Sequence, residues 1–250
     1  MKIPKGSKVG IALGGGAVLG AVHIGVIKAL EAHDVTIECI SGTSIGALIA
    51  SLYACGMNGV SIEKLLSTQS WFDVSHISLS KMGILSNQKL GKFVSKHVGS
   101  KSFDETDIPL AIVASDLIEG EKIILNQGKI ADAVMASTCI PGIFSPVTIG
   151  DQVLVDGGIT ENIPISPLKL LGCQSIVGVN LTNIKNPDPK NVFDVLMNAF
   201  NIAQHNTAKL QQEDSDIVIT PDLSQFNYVN TKQIPELISI GYEETVSILE

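Results

Sequence analysis

The sequence predicts an α/β protein in which helices cover a mainly parallel sheet. Short apolar runs of strand length alternate with longer helical patterns, beginning with Lys8–Leu13, Ala21–Ala32, Thr36–Ile40 and Ile45–Cys55. This alternation is typical of βαβ units, whose parallel strands are buried on both faces. The chain has 250 residues, of which 45% are hydrophobic and 17% charged, a composition that suits one large core. We therefore predict a single domain over residues 1–250.

The rest of the chain continues the same alternation. Further strands are predicted at Leu110–Ala114, Lys122–Leu125, Gln152–Val155, Ser175–Asn180 and Asp216–Thr220. Further helices are predicted at Ile62–Leu66, Asn87–His97, Ile130–Ala136, Pro167–Leu171, Asn191–Gln211 and Ile234–Leu249. Segment 67–86 is the least regular part, and we interpret it as a packed excursion over the core, with a substrate lid as the alternative.

The predicted helix Asn191–Gln211 carries apolar side chains on roughly one face. They are Val192, Val195, Leu196, Phe200 and Ile202. Such a face is typical of a helix that packs on a core, and this is the interpretation we prefer. A helix lying in a membrane interface is the alternative.

Charge and hydropathy exclude several kinds of partner. The formal net charge is -8, so the chain offers no basic field for nucleic acid or for an anionic membrane. Three lysines, Lys2, Lys5 and Lys8, precede the uncharged run Val9–Ile27, an arrangement that resembles a signal peptide. Glycines interrupt this run and a second one, Cys39–Ile62, so neither is a continuous apolar segment that could span a membrane. We therefore expect a cytoplasmic protein without a signal peptide or transmembrane segment, whose contact with a membrane surface is at most transient.

The cysteines predict neither a metal site nor a disulfide framework. Cys39, Cys55, Cys139 and Cys173 lie far apart in apolar surroundings, with no CxxC pair and no nearby histidine cluster. We predict that they are buried free thiols in a reducing compartment. No cofactor and no metal are expected.

A candidate nucleophile lies between the second predicted strand and the helix after it. The sequence there is Gly42-Thr43-Ser44-Ile45-Gly46, a G-x-S-x-G pattern. At a strand-to-helix turn the serine must adopt a strained elbow, and the two glycines remove Cβ atoms that would collide with neighbouring backbone. Its hydroxyl would then point out at the N-terminus of the helix, where developing negative charge is favoured. A serine that merely caps the helix is the alternative.

A candidate oxyanion hole follows the first predicted strand. The segment Gly14-Gly15-Gly16-Ala17-Val18-Leu19-Gly20 is rich in glycine, which lets backbone amides converge on one anion such as a tetrahedral acyl intermediate. A nucleotide-binding loop fits poorly. The phosphate-binding P-loop requires Gly-Lys-Ser/Thr, which does not follow here. The dinucleotide motif G-x-G-x-x-G also fails, because Leu19 fills its last glycine position when counted from Gly14 and Ala17 fills its middle one when counted from Gly15.

The sequence leaves two candidates for the general base, a histidine or an aspartate. Histidine is the usual base, but none of the five lies in a motif typical of a base-bearing loop: His23, His33, His76, His97 and His205. Asp156 ends an apolar strand in Val153-Leu154-Val155-Asp156-Gly157-Gly158. A carboxylate can take a serine proton directly if an apolar site raises its pKa. An ordinary Asp-Gly turn is the alternative.

Taken in order, the glycine run, the Gly-Thr-Ser-Ile-Gly elbow and the Asp-Gly-Gly turn resemble the patatin-like phospholipases. The resemblance extends through nearly the whole chain. It includes the stretches Gly20–Val26, Ile108–Leu117, Ala136–Val147, Asn162–Ile165 and Val177–Leu181. Two positions depart from the family pattern, because Ala17 replaces a usual glycine and Leu19 a usual arginine or lysine.

The resemblance implies a three-layer α/β/α fold and a Ser–Asp dyad without histidine that hydrolyses acyl esters of lipids. Carried over by position, Ser44 is the nucleophile, Asp156 is the base, and the oxyanion is held by the amides of Gly15, Gly16 and Ala17. The alternatives are a non-catalytic lipid-binding or regulatory protein on the same fold, and an acyltransferase that uses the same dyad. The expected substrate is a lipid or a small ester, with lysolipids and neutral esters both open.

Overall fold

The computed structural model describes residues 2–67, 76–77, 85–182, 186 and 188–250. Most of segment 67–86, interpreted above as a packed excursion or a lid, therefore lies outside the described residues, namely 68–75 and 78–84. The strands are β1 (Lys8–Leu13), β2 (Thr36–Thr43), β3 (His76–Ile77), β4 (Leu85–Ser86), β5 (Leu110–Asp116), β6 (Lys122–Leu125), β7 (Val147–Ile149), β8 (Gln152–Asp156), β9 (Ile176–Val179) and β10 (Ile217–Ile219).

The central sheet is mainly parallel, as predicted. Its strand order is β10-β9-β1-β2-β5-β8-β7, with β6 also paired to β5. Strands β3 and β4 form a separate two-stranded antiparallel sheet. Strands β10, β9, β1, β2 and β5 run parallel to one another. Strands β6, β7 and β8 are joined by antiparallel pairing, which is where the βαβ pattern ends. The short strand β7 was not predicted.

Helices cover both faces of the sheet. They are α1 (Ala21–Ala32), α2 (Ile45–Ala54), α3 (Gly59–Ser67), α4 (Gln88–Val98), α5 (Ile130–Ser137), α6 (Ile165–Leu170), α7 (Val192–Gln211) and α8 (Ile234–Ser247). Along β1, Ile11 and Leu13 join the main core cluster, to which α1, α2 and α8 contribute. The intervening Ala12 joins a second cluster with Leu168 on α6 and Ala208 on α7. The alternation of side chains along a strand thus builds the three predicted layers.

Helix α7 does not pack through the apolar face that the sequence predicted. Its buried side chains are Phe200, Asn201, Gln204 and Ala208. Val192, Val195 and Ile202 are instead exposed. The prediction of a core-packing apolar face is therefore wrong for these three residues, because the buried side of α7 is partly polar and contacts backbone.

Strand register brings the ends of β2 and β8 to the same level of the sheet. Thr43 on β2 pairs with Val113 on β5, and the next residue of β5, Ala114, pairs with Asp156. Ser44 follows Thr43, so it stands level with Asp156 across a single intervening strand. Two strand spacings separate their backbones by about 10 Å, a gap that two facing side chains can close.

The structure corrects the prediction of four free cysteines. Cys39 on β2 and Cys173 form a disulfide with their Cα atoms 6.8 Å apart. Gly10 on β1 makes room for it, since a Cβ there would lie 2.8 Å from Cys39 Sγ and 2.9 Å from Cys173 Cβ. Spacing along the chain could not reveal this pair, which is 134 residues apart. Cys55 and Cys139 are free, as predicted, and Cys139 is buried, but Cys55 is only partly buried.

We expect Gly25→Ala to destabilise the protein where α1 crosses α8. A Cβ at Gly25 would overlap the carbonyl oxygen of Ile238, and one at Gly241 would overlap that of Val22. The overlap should lower the free energy of unfolding by about 1–3 kcal/mol, despite alanine's better helix propensity. Urea denaturation measures the change. Ser239→Ala on the exposed side of α8 is the control and should change stability by less than about 0.5 kcal/mol.

Candidate active site

Ser44 occupies a strained elbow between β2 and α2. Its φ of 55° and ψ of -124° lie in a region that side chains other than glycine's rarely adopt. A Cβ at Gly46 would overlap the carbonyl oxygen of Leu13, and one at Gly42 would overlap that of Gly46. Both glycines are thus required by close approach of backbone, as the G-x-S-x-G pattern predicted. Strain of this kind costs about 1–3 kcal/mol and persists only where the surroundings enforce it.

Ser137 on α5 is one of the groups that hold the elbow. The amide of Ser44 donates a hydrogen bond to Ser137 Oγ at 2.8 Å, and this hydroxyl donates to the carbonyl oxygen of Val113 at 2.6 Å. Ser137 is fully buried. Its hydroxyl therefore links the backbone of Ser44 to strand β5, the strand that separates Ser44 from Asp156.

Asp156 is a fully buried carboxyl group at the end of β8. Its Oδ1 accepts a hydrogen bond from the Gly158 amide at 2.9 Å. Within the described part of the chain, Oδ2 has no hydrogen-bond partner of normal geometry. Burial raises the pKa of Asp156 to about 7, although the nearby Ser44 hydroxyl and the Gly158 amide each lower it. A buried carboxylate oxygen is thus left with unused capacity to accept a proton.

The structure brings Ser44 and Asp156 together and no described histidine with them. The Ser44 hydroxyl is close enough to affect the pKa of Asp156. His23 Nε2 contacts the Gly14 carbonyl oxygen, His33 contacts Ala29 and His205 contacts Thr182. The ring of His97 packs at a tilted angle against that of Phe93, and the side chain of His76 lies outside the described residues.

The glycine loop lies against Ser44. A Cβ at Gly15 would be 3.2 Å from Ser44 Cβ. The Gly15 amide donates to Asn162, with its side-chain Oδ1 at 3.2 Å and its carbonyl oxygen at 3.3 Å. Among the described residues, the amides of Gly16 and Ala17 donate to no acceptor. In this conformation two of the three predicted oxyanion donors are therefore available.

The two departures from the family pattern have different structural consequences. Ala17 adopts a φ of 50°, so the loop keeps a left-handed residue at this position even with a Cβ present. Leu19 is fully buried in the main core. It therefore contributes packing beneath the loop and no polar group toward Ser44.

His23 supports the glycine loop from below. It is fully buried on α1, and its Nε2 lies 2.7 Å from the carbonyl oxygen of Gly14. Burial lowers the pKa of His23 to about 4, against the opposing effect of the Gly14 bond, so the ring is neutral at physiological pH. A neutral ring with Nε2 protonated donates this bond, which fixes the loop without adding a charge to the site.

An apolar cavity of about 270 Å³ opens beside Ser44. Its walls come from the glycine loop, α2, α4, α7 and the segments around residues 138–144 and 228–229. The lining side chains include Leu48, Leu85, Leu90, Ile140, Ile143, Phe144, Phe193, Met197 and Tyr228. Asn87 and Thr138 add polar groups, but no charged residue belongs to the described lining. The cavity suits an uncharged hydrocarbon chain.

Sequence reasoning missed several residues that shape the site. Ser137 and Asn162 lay in stretches that carried the family resemblance, but their type and spacing gave no hint of a role. Gln204 on α7 is buried, and its Nε2 fills the space beside both Gly15 and Gly158. Only the fold brings α7 to these two turns, so no local pattern could have identified Gln204.

Two further classes of site find no support in the described residues. No group of three or more His, Cys, Asp or Glu side chains there is arranged to hold a metal ion. Within those same residues, every helix is too short or too polar to cross a membrane.

Comparison with known proteins identifies the family of the chain. A model of the family described as Patatin-like phospholipase matches residues 11–169. An uncharacterized NTE family protein of Mycobacterium bovis is 32% identical over 70% of this chain and 49% of its own length. The protein named Lysophospholipase NTE1 in Debaryomyces hansenii is 29% identical over 78% of this chain and 13% of its own length. The chain thus spans half or less of the curated relatives it matches.

Two solved structures share the fold at low sequence identity. VipD from Legionella pneumophila superimposes with a TM-score of 0.66 and 15% identity, covering 99% of this chain and 67% of that one. The type III effector protein ExoU gives a TM-score of 0.56 and 13% identity, covering 98% of this chain and 53% of that one. With the family model matching well over half of its length, the chain belongs to the patatin-like phospholipase family.

Proposed function

We propose that this protein hydrolyses acyl esters of lipids, with Ser44 as the nucleophile and Asp156 as the general base. The observation that carries the proposal is a buried carboxyl group, with one oxygen lacking a partner in the described residues, close to a serine hydroxyl on a strained elbow. An apolar cavity beside that serine supports a hydrocarbon substrate. Family membership and relatives named as lysophospholipases support the same reaction class.

The proposed reaction proceeds in two halves. Asp156 takes the proton of the Ser44 hydroxyl as Oγ attacks the ester carbonyl carbon, and the amides of Gly16 and Ala17 donate to the resulting oxyanion. The intermediate collapses, the bond to the leaving oxygen breaks, and that oxygen receives the proton from Asp156. Water then attacks the acyl-Ser44 ester with the same base and releases the fatty acid and the free serine.

The environment of Asp156 suits this role. A general base works best when its pKa lies near the working pH, and burial brings the pKa of Asp156 to about 7. An ordinary exposed aspartate would be a much weaker base.

The size and polarity of the cavity favour substrates with a single acyl chain. Its volume of about 270 Å³ lies just below the usual range for drug-sized ligands, so one chain fits better than two. With no charge in the described lining, a phosphate group has no counter-ion there. We therefore place any head group outside the cavity, and we include lysolipids and neutral monoesters as substrates.

The test is labelling with a fluorophosphonate probe, followed by hydrolysis of esters of graded chain length. We expect the probe to modify Ser44, as read by peptide mapping, and kcat/KM to rise with chain length until the cavity is full. A parallel panel of lysophospholipids, diacyl lipids and monoglycerides identifies the lipid class. Complete inactivity on every ester, together with absent labelling, would favour a non-catalytic lipid-binding or regulatory protein on the same fold. Product partitioning to added alcohols would indicate an acyltransferase.

Removing the Ser137 hydroxyl should impair Ser44 without affecting substrate binding. Ser137→Ala leaves the Ser44 amide buried without its partner, which costs about 1–3 kcal/mol. We expect kcat to fall at least about tenfold with KM nearly unchanged, because Ser137 does not line the cavity.

Ser51→Ala is the matched control for this substitution. Ser51 is also fully buried, and its hydroxyl donates to a carbonyl oxygen, that of Leu48, at 2.8 Å. It should keep kcat, and it should lose less stability because the Leu48 carbonyl oxygen remains within the backbone hydrogen bonds of α2. Equal losses of kcat in the two variants would show that Ser137 contributes only to folding.

A further inference from the structure

Gln204 on α7 places a buried side-chain amide between two glycine turns of the site. Only 3% of its surface is exposed. A Cβ at Gly158 would overlap the carboxamide of Gln204, and one at Gly15 would lie 2.7 Å from its Nε2. The two glycines therefore leave room for this carboxamide, beside both the glycine loop and the turn that follows Asp156.

The backbone of Gln204 is anchored at the same place. The hydroxyl of Thr207 donates to the carbonyl oxygen of Gly158 and to that of Gln204, each at 3.0 Å. The amide of Gly158 in turn donates to Asp156 Oδ1. Helix α7 thus holds Gln204 at a fixed place relative to the proposed base.

The carboxamide of Gln204 has hydrogen-bonding capacity that the fold leaves unused. Within the described part of the chain, Gln204 takes part in hydrogen bonds only through its backbone. Buried side-chain amides normally have partners, because burying one without a partner costs free energy. An unpaired donor that the fold holds in place beside the nucleophile indicates a partner that the substrate supplies.

The donor approaches Ser44 from outside the apolar cavity. Gln204 Nε2 and Ser44 Cβ both lie within 3.2 Å of the position that a Cβ at Gly15 would take. Ser44 lines the cavity, but Gln204 does not belong to its described lining. In the proposed reaction the cavity takes the acyl chain and the glycine loop takes the oxyanion, so the leaving oxygen lies on the side of Asp156. Gln204 lies on that side as well.

We propose that the side-chain amide of Gln204 donates a hydrogen bond to the leaving oxygen of the ester. This inference rests on the proposed function, because it concerns the group that Ser44 displaces. As the bond between the acyl carbon and the leaving oxygen breaks, negative charge develops on that oxygen, and Asp156 delivers to it the proton taken from Ser44. A fixed donor beside the oxygen stabilises this charge. Gln204 itself neither gains nor loses a proton.

The benefit depends on the leaving group. A glyceryl or simple alkyl oxygen is strongly basic and carries its developing charge poorly, so it needs a hydrogen-bond donor. A nitrophenolate delocalises the charge over its ring and departs with little help. The proposal therefore predicts that the contribution of Gln204 is large for glyceryl esters and small for nitrophenyl esters.

The experiment compares a glyceryl ester and a p-nitrophenyl ester of the same fatty acid in Gln204→Met. Methionine has a similar length and helix propensity but no N–H donor. We expect kcat/KM to fall about tenfold more for the glyceryl ester than for the p-nitrophenyl ester. This quantity reports formation of the acyl enzyme, the step in which the leaving group departs. Urea denaturation should show no loss of stability, because the substitution removes no hydrogen bond within the described chain.

Gln211, further along α7, is the matched control. Its Nε2 donates to the carbonyl oxygen of Thr160 at 3.1 Å, and its Oε1 accepts from the Ile163 amide at 3.0 Å. Gln211→Met should therefore lower stability and change kcat/KM for the two esters by the same factor. The pair of variants separates a donor that acts on the leaving group from one that supports only the fold.

The remaining outcomes distinguish this inference from the proposed function. If the intact protein cleaves both esters and Gln204→Met loses equally on both, or on neither, the inference is wrong and the proposed function stands. If the intact protein cleaves neither ester, the proposed function fails and the inference fails with it. Should Gln204→Met not fold, Gln204→Glu takes its place, because an ionised carboxylate keeps the shape of the side chain without a donor. It must show the same larger loss on the glyceryl ester.

Discussion

Replacing Ser44 with alanine should abolish both ester hydrolysis and fluorophosphonate labelling. Loss of the hydroxyl removes the only group proposed to form the acyl intermediate, and removing a serine nucleophile lowers kcat by at least about a thousandfold. Steady-state kinetics on a medium-chain ester, with intact-mass analysis after labelling, measures both effects. The fold should be kept, because Ser44 Oγ makes no hydrogen bond on which β2 or α2 depends.

The control for Ser44→Ala is Ser51→Ala in the following helix. Ser51 is buried on α2 only seven positions further along the chain, and its hydroxyl bonds within its own helix. Labelling and turnover in this variant should equal those of the intact protein. Persistent labelling of Ser44→Ala would place the nucleophile at another serine and overturn the proposed mechanism.

The parallel part of the fold could be predicted from the sequence, because the patterns that mark its strands, helices and turns lie within short segments of the chain. Strands β1 and β2 and helices α1 and α2 begin where hydrophobic periodicity indicated, and glycines mark the turns between them. Strand β8 was identified, but its antiparallel pairing to β5 depends on the path of the chain between them. Periodicity carries no information about strand direction.

The candidate site shows the same division between local and distant information. Ser44 and Asp156 were predicted as candidates because each ends an apolar strand at a glycine turn, and strand register places them level across β5. Ser137, Asn162 and Gln204 act through contacts with residues about 50 to 190 positions away. Their roles arise from the fold, as does the Cys39–Cys173 disulfide across Gly10. Single-sequence reasoning finds turns and strand ends but cannot find such partners.

Asp156→Asn should lower kcat by about 10²- to 10⁴-fold, the usual contribution of a general base. Asparagine keeps the shape of the side chain and can still accept from the Gly158 amide, but it cannot take the Ser44 proton. For the intact protein, kcat/KM should fall about tenfold per pH unit below about pH 7, where the carboxyl is protonated. A pH–rate profile without this limb would exclude Asp156 as the base.

Asp156→Asn should also raise the free energy of unfolding. An increase distinguishes loss of the base from a folding defect, which would lower that free energy. Burial raises the pKa of Asp156 from 3.8 to about 7 in the folded protein, so the folded state binds a proton more tightly than the unfolded state. The protonated carboxyl group of Asp156 makes its full contribution to the free energy of unfolding below about pH 4, and this contribution is lost as the pH rises toward 7. At about 1.4 kcal/mol per pH unit, the loss approaches about 4 kcal/mol.

Asp156→Asn carries no such charge, so its stability should exceed that of the intact protein above pH 7, and the advantage should shrink as the pH falls toward 4. Urea denaturation of both proteins across this range measures the difference. A variant that is inactive yet more stable at alkaline pH identifies Asp156 as a group that catalysis requires at the expense of folding. A variant that is less stable at every pH would instead mean that the carboxylate supports the fold, and loss of activity could then not be assigned to a missing base.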